Sequence, residues 1–193
     1  MDFVRGIKIE DCWEDLNQIE RKDVGSKVAS IINNLHSLPI PEGQELVPGP
    51  VGFSACVPRA RFFPDIGIDP FSSTEQLEAW YNRRLEITQH FHQAPPDAAP
   101  FVFNSYTYIH YDFAPRNLIL DSDGKIRLID WGDAGIYPEG FEFAALNTRK
   151  DQSSKFIEMP FRLIPSYEDL SRQMLLIAYN FTTAQWIDSR WIQ

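Results

Sequence analysis

The sequence of 193 residues has few cysteines, no dense basic run and no long apolar stretch. Its two cysteines, Cys12 and Cys56, are too few for a disulfide framework, so free thiols in a reducing compartment are expected. Lys and Arg number 18 against 27 Asp and Glu, which gives a net charge of −9. Because nucleic-acid phosphates are bound by clustered cations, we expect no nucleic-acid partner.

The sequence also lacks the features of a secreted or membrane protein. The first residues lead into polar sequence without the apolar core of a signal peptide. The longest apolar run, 174–179, is far shorter than the roughly 20 residues of a membrane-spanning helix. We therefore predict a cytoplasmic protein with no membrane partner, whose 44% hydrophobic residues are ample for one buried core.

Apolar residues at helical spacing predict that most of the chain is helical. We predict helices over 10–16, 19–38, 72–91 and 138–146, and a last helix that opens at 166–169. Their buried stripes are expected to contain Val24, Val28, Ile31, Leu35 and Leu38 in the second helix, Leu77, Trp80, Tyr81 and Leu85 in the third, and Leu170, Met174, Ile177 and Phe181 in the last. A capping box of Ser72 with Glu75 marks the third helix, and Pro138 with Glu139 the fourth. Prolines and glycines over 39–71 predict a long irregular loop.

Two short apolar runs, 118–120 and 125–129, flank a turn-forming segment and predict a β-hairpin. Because a hairpin doubles back, Asn117 at its entrance and Asp130 at its exit are expected to converge, with Asp112 in the loop just before. Two oxygen ligands suit Mg²⁺, which takes one or two protein groups and leaves its other positions to water and phosphates. Asp112 is then left for proton transfer. The alternative is structural, with Asp112 and Asn117 as loop formers and Asp130 as a strand-end carboxylate.

The order His-x-Asp-x-x-x-x-Asn over 110–117, followed by the hairpin and Asp130, resembles the catalytic and metal-binding loops of the protein-kinase-like fold. Asp130 and Trp131 in place of Asp-Phe-Gly, together with Asp-x-Ala-Pro-Arg-Asn over 112–117, are similar to the aminoglycoside phosphotransferase and choline kinase group of small-molecule kinases. The run 129–139 resembles fungal members of that group. The resemblance implies an α+β, mainly helical fold: the C-terminal lobe of a kinase-like fold with a small catalytic β-hairpin. Residues 1–8 would be a remnant of the linker between lobes and residues 9–193 the lobe, with the N-terminal lobe missing.

The resemblance also implies roles for individual residues. Asp112 would orient the acceptor hydroxyl and accept its proton, while Asn117 and Asp130 would hold the Mg²⁺ that bridges the phosphates of ATP. Of the remaining residues, His110 and Arg116 would support the catalytic loop, Ile119 and Ile129 would lie under the adenine, and Asp133 and Glu142 would face the substrate. Core packing is the default for both isoleucines, a surface turn explains Asp133 about as well, and an ion pair of Glu142 with Arg116 is slightly preferred. Tyr111 stands where many family members have Gly.

The implied activity is ATP- and Mg²⁺-dependent transfer of the γ-phosphate to a small-molecule hydroxyl, and an acidic surface is compatible with a cationic acceptor. Because the phosphate-binding loop and Lys of this fold belong to the N-terminal lobe, the chain is expected to bind ATP weakly and turn over poorly. The alternatives are a non-catalytic binding or regulatory module and a protein kinase; Asp-Trp and the lack of an Ala-Pro-Glu segment speak against the latter. A zinc site at His90 and His92 and a calcium loop over 121–124 are set aside, since neither has a full ligand set.

Overall fold

The computed structural model describes residues 4–41, 46–51, 57–58, 60–64, 69–148 and 154–182. Within these ranges the helices are α1 (Ile9–Cys12), α2 (Gln18–His36), α3 (Thr74–His90), α4 (Phe141–Asn147), α5 (Ser154–Phe161), α6 (Glu168–Leu176) and α7 (Ala178–Thr182). The strands are β1 (Ile7–Lys8), β2 (Gly49–Pro50), β3 (Tyr106–Ile109), β4 (Leu118–Leu120), β5 (Ile126–Leu128) and β6 (Gly135–Pro138), and a 3-10 turn spans Pro115–Asn117. This confirms a mixed, mainly helical α+β chain. Cys56, residues 1–3 of the predicted linker, parts of the 39–71 loop and residues 183–193 lie outside the described ranges.

The strands form two small antiparallel sheets, in the orders β1-β4-β5 and β2-β6-β3. The predicted hairpin is confirmed, since β4 and β5 pair with Leu118 opposite Leu128. Asp121 holds the turn, because its Oδ1 accepts hydrogen bonds from two backbone N–H groups of the following residues. An edge strand that the sequence did not predict, β1, lies within the segment interpreted as a linker and pairs Ile7 with Leu120.

The long helix α2 begins where its sequence provides a cap. Asn17 accepts from the N–H groups of Ile19 and Glu20, and the Glu20 carboxylate accepts from the Asn17 N–H, which completes a capping box. The predicted buried stripe was wrong beyond Val28, because Ile32 is buried where Ile31 was expected and the helix ends before Leu38. The buried residues Val24, Val28 and Ile32 of α2 are spaced four apart. Gly25 allows α5 to pack directly against the helix, since a Cβ there would lie 2.6 Å from the Met159 Cβ.

Several predicted helix boundaries were wrong. The first helix is only the four residues of α1. The cap of α3 is Ser73 rather than Ser72, and its Oγ accepts from the Gln76 N–H while the Gln76 side chain accepts from the Ser72 N–H. Ser73 and Gln76 therefore act one position later than the predicted Ser72 and Glu75, and the Gln76 side chain accepts from the residue before the cap rather than from the cap itself.

The fourth predicted helix begins too early, because Pro138 ends β6 instead of opening a helix. This strand pairs on both sides, with β2 and β3, and Gly140 at φ +93° then turns the chain into α4. The last predicted helix opens at Glu168 rather than at 166 and divides into α6 and α7. Its predicted stripe holds, with Met174 and Ile177 buried. The 39–71 segment contributes β2, and α5 was not predicted.

Two hydrophobic cores lie on either side of α4. The first, called here the aromatic core, includes Phe62, Phe63, Tyr81, Phe101, Tyr111, Tyr137 and Phe141. The second underlies the hairpin and α2 and includes Ile9, Val28, Ile32, Leu118, Phe143 and Phe156. Because Phe141 belongs to one core and Phe143 to the other, the intervening residue of α4, Glu142, is enclosed by protein. None of the described helices is long and apolar enough to cross a membrane.

Candidate active site

His110 joins the end of β3 to the exit of the hairpin. Its Nδ1 accepts a hydrogen bond from the Asp112 N–H at 3.2 Å, and its Nε2 lies 3.1 Å from the Ile129 carbonyl oxygen. Since Nδ1 accepts, the ring is neutral in this pairing and its proton is on Nε2, which donates to Ile129. The ring is fully buried, and its two hydrogen bonds fix the loop relative to the residue that precedes Asp130.

Glu142 binds the backbone of the same loop from beneath. Its Oε2 accepts from the His110 N–H at 2.7 Å and from the Tyr111 N–H at 2.9 Å, and the residue is fully buried. Tyr111 adopts φ +70°, a left-handed conformation that costs an ordinary L-residue about 1–2 kcal/mol. Burial raises the pKa of the Tyr111 phenol well above its usual value, so the side chain is neutral. The loop therefore contains a strained backbone that is held by a buried carboxylate.

Asp112 is 8% exposed, and its carboxylate is held by two side chains from the turn that follows it. Its Oδ2 accepts from Arg116 at 2.5 Å and from the Asn117 Nδ2 at 2.7 Å. The preferred ion pair of Arg116 with Glu142 is therefore wrong: Arg116 lies four residues after Asp112, pairs with it locally and is half exposed, whereas Glu142 is enclosed. Charge-assisted bonds of this kind orient a carboxylate before any substrate is bound.

Asn117 faces two ways. Its Nδ2 donates to both the backbone oxygen and the Oδ2 of Asp112, so both amide hydrogens are used and the carbonyl oxygen is directed elsewhere. That oxygen accepts no hydrogen bond from the described residues. The Ile129 N–H donates to the Asn117 backbone oxygen at 2.9 Å, which places Asn117 beside the residue immediately before Asp130.

Asp130 is exposed, at φ +63°, and forms no hydrogen bond or ion pair with the described residues. Two oxygen groups at the base of the hairpin, one from Asn117 and one from Asp130, therefore have no hydrogen-bond partner among the described residues. Hard oxygen donors that are few in number fit Mg²⁺. Within the described ranges no group of three or more His, Cys, Asp or Glu could hold a metal, which leaves no support for the zinc alternative. The turn carboxylate of Asp121 is bonded to backbone N–H groups and to Arg127, so a calcium loop is not supported either.

Comparison with known families agrees with this geometry. Residues 1–162 match the phosphotransferase enzyme family (APH). The chain belongs to this family. All the candidate site residues of this phosphotransferase chain, from His110 to Glu142, lie within the matched range. No curated protein matches it significantly.

The remaining predicted residues of the phosphotransferase chain surround the hairpin base. Trp131 is 49% exposed, its Nε1 donates to the Leu128 oxygen at 3.2 Å, and its ring meets the His110 ring edge-on at 4.9 Å. Ile119 is buried and Ile129 is partly buried. This burial is compatible both with core packing and with an adenine-facing role. Asp133 is partly buried in the turn before β6.

A cleft of about 330 Å³ is lined in part by residues of the aromatic core. Its lining includes Arg61, Phe62, Phe63, Thr148, Met174 and Phe181, but not Asp112. The rings of Phe62 and Phe63 also contact Tyr111, at 6.4 and 6.3 Å between centroids. A ligand there would touch the residues that pack on Tyr111 rather than Asp112 itself.

The sequence did not predict that Glu142 binds the loop backbone. A signal was available, because Glu142 is the one charged residue in the otherwise apolar run 141–146 of α4. A carboxylate buried among apolar residues needs hydrogen-bond donors, and the catalytic loop supplies two.

Proposed function

We propose that the chain transfers the γ-phosphoryl group of ATP to the hydroxyl of a small molecule, with Mg²⁺ as cofactor. The proposal rests on one observation, the different environments of the polar groups at the base of the hairpin. Asp112 is enclosed and oriented by Arg116 and Asn117, whereas the Asn117 carbonyl and the Asp130 carboxylate have no described protein partner. Such an arrangement separates a proton acceptor from a metal-binding pair.

In the proposed reaction the acceptor oxygen forms a bond to the γ-phosphorus, and the bond from that phosphorus to the bridging β-phosphate oxygen breaks, which releases ADP. The hydroxyl proton passes to the Asp112 carboxylate. Asn117 and Asp130 would hold Mg²⁺, which would supply neutralisation of the phosphate charge. Asn117 contributes twice, because its amide hydrogens orient Asp112 and its carbonyl faces the metal-binding side. Phosphoryl transfer depends mostly on such positioning.

The surroundings support the choice of co-substrate and acceptor. Ile119 and Ile129, on either side of the hairpin, offer apolar contacts for the adenine. The net charge of −9 is compatible with an acceptor that carries a positive charge as well as a hydroxyl. Cys12 is a free thiol, which fits a reducing, ATP-containing compartment, and we place the reaction in the cytoplasm.

The proposal is tested by measuring Mg²⁺-dependent ATP consumption against a panel of aminoglycosides, choline-like amines, homoserine and sugars. Slow transfer to at least one acceptor is expected, in keeping with the weak ATP binding and poor turnover predicted from the sequence, and Asp112→Asn should lower the rate by about 10²- to 10⁴-fold because the proton acceptor is lost. Asn at this position still accepts from Arg116 and Asn117, so the thermal midpoint serves as the folding control. Transfer that is unchanged in Asp112→Asn would contradict the proposal, and nucleotide binding without transfer to any acceptor would favour a regulatory module.

A further inference from the structure

We propose that Tyr111 is a positioning residue for Asp112: its buried ring, packed in the aromatic core, holds the left-handed backbone turn that presents the Asp112 carboxylate. The inference deepens the proposed function and rests on it, because the role of Asp112 in proton transfer gives the position its consequence. Tyr111 itself touches no reacting atom.

The conformation of Tyr111 requires support. The residue lies between His110 and Asp112 at φ +70°, which is an outlier for a bulky L-residue. Glycine adopts this conformation without steric cost, whereas a tyrosine is strained in it. Such strain persists only where the surrounding structure determines it.

The support on the side-chain side is the aromatic core. The Tyr111 ring is 1% exposed and meets the Tyr137 ring at 5.0 Å and those of Phe62, Phe63 and Phe141 at 6.3–6.4 Å between centroids. These distances lie in the range of favourable edge-to-face aromatic pairs. The neighbours come from three different parts of the chain, the 60–64 segment, β6 and α4. A change of the Tyr111 backbone to an ordinary conformation would swing the ring out of this site, so the packing and the turn are coupled.

The backbone of the turn is held by hydrogen bonds that its consecutive N–H groups donate. Those of His110 and Tyr111 donate to Glu142, and that of Asp112 donates to the His110 Nδ1. The turn is therefore held between a buried carboxylate and a buried ring. From this turn the Asp112 carboxylate is directed to Arg116 and Asn117. Loss of the ring should loosen the loop while leaving the hairpin and α2 in place.

Site-resolved amide hydrogen exchange on Tyr111→Gly and Tyr111→Phe tests this inference without requiring turnover. Glycine accepts the backbone conformation without steric cost but also adds backbone freedom, so loosening in Tyr111→Gly has two sources. Tyr111→Phe keeps the ring and is the matched control, and Phe63→Leu, which keeps Tyr111 and weakens its packing, separates the ring from the backbone effect. We expect the amides of residues 110–112 and 117 to exchange at least about tenfold faster in Tyr111→Gly and unchanged in Tyr111→Phe, with α2 amides unchanged in both. Phe63→Leu is expected to accelerate the same loop amides by about threefold, and it replaces Tyr111→Gly if that variant does not fold.

A kinetic arm separates positioning from general destabilisation. Tyr111→Gly should lower kcat and leave the KM for ATP unchanged, and the Tyr111→Gly/Asp112→Asn double variant should be no slower than Asp112→Asn alone, since one residue acts through the other. Loop amides that exchange at the wild-type rate in Tyr111→Gly, or α2 amides accelerated by the same factor, would overturn the inference. If Asp112→Asn alone leaves transfer unchanged, the proposed function fails, while the exchange data still decide whether the ring holds the loop.

Discussion

The two carboxylates of the site, Asp112 and Asp130, are held in different ways although the hairpin brings their segments together. Asp112 is enclosed, and its carboxylate and backbone are fixed by Arg116, Asn117 and His110. Asp130 is exposed and has no hydrogen-bond partner among the described residues. A proton acceptor works best when its position is set before the substrate arrives, because reorganisation then costs nothing during the reaction. A metal ligand can be positioned by the metal itself.

The largest effect on stability is expected at Glu142, which binds the backbone next to the enclosed Asp112. Glu142→Ala leaves the buried N–H groups of His110 and Tyr111 without an acceptor, which should lower the free energy of unfolding by about 3 kcal/mol. Urea denaturation measures this loss. Glu142→Gln is the matched control, since it retains an oxygen acceptor and should lose less. A loss below about 1 kcal/mol in Glu142→Ala would show that the loop is not held from this side.

A smaller effect is expected at Arg116, which is half exposed. Arg116→Ala removes one bond to Asp112 and should lower the free energy of unfolding by no more than about 1 kcal/mol, because water screens the pair. Phosphoryl transfer should nevertheless fall, since the Asp112 carboxylate loses one of the groups that orient it.

The chain provides a control for the Arg116 prediction. Arg127 pairs with Asp121 at the hairpin turn, and its side chain is about as exposed as that of Arg116. Arg127→Ala should therefore leave transfer unchanged. Equal loss of transfer in both variants would mean that Arg116 acts through general stability rather than through Asp112.

The smallest effect on stability is expected at Asp130, the exposed carboxylate. Asp130→Asn keeps the shape of the side chain, and Asn tolerates the left-handed conformation at φ +63°. The free energy of unfolding should change by no more than about 0.5 kcal/mol, as for other exposed substitutions. A calorimetric unfolding experiment checks this. A loss comparable to that in Glu142→Ala would remove the distinction between a fixed and an open carboxylate.

Features that depend on residues close together in the sequence could be predicted, and features that depend on distant residues could not. The 110–117 loop and the hairpin form a contiguous stretch, so the β4–β5 pairing and the closeness of Asn117 to the residue before Asp130 were predictable from local sequence. The short strands β1, β2 and β6 were not, because each of them pairs with segments that are distant in the sequence. Glu142 lies about thirty residues from the loop that it binds, and the sequence suggested Arg116 as its partner because both are charged. Arg116 instead pairs with the carboxylate one helical turn before it.

The strained backbone conformation of Tyr111 also could not be predicted from the sequence. A tyrosine gives no indication of a left-handed backbone, and its ring contacts come from three separate parts of the chain. The resemblance implied only that Tyr111 stands where many family members have Gly. The structure supplies the reason that a large residue is accommodated there.

The central claim is that Asp130 belongs to a metal-dependent nucleotide site and Asp112 to proton transfer. Isothermal titration of the chain with Mg²⁺ and a non-hydrolysable ATP analogue tests it most directly. We predict weak binding that requires Mg²⁺, an affinity nearly unchanged in Asp112→Asn, and an affinity reduced about tenfold or more in Asp130→Asn, equivalent to about 1.4 kcal/mol or more. Binding that is equally strong in Asp130→Asn and the wild type, or equally weakened in both variants, would contradict it.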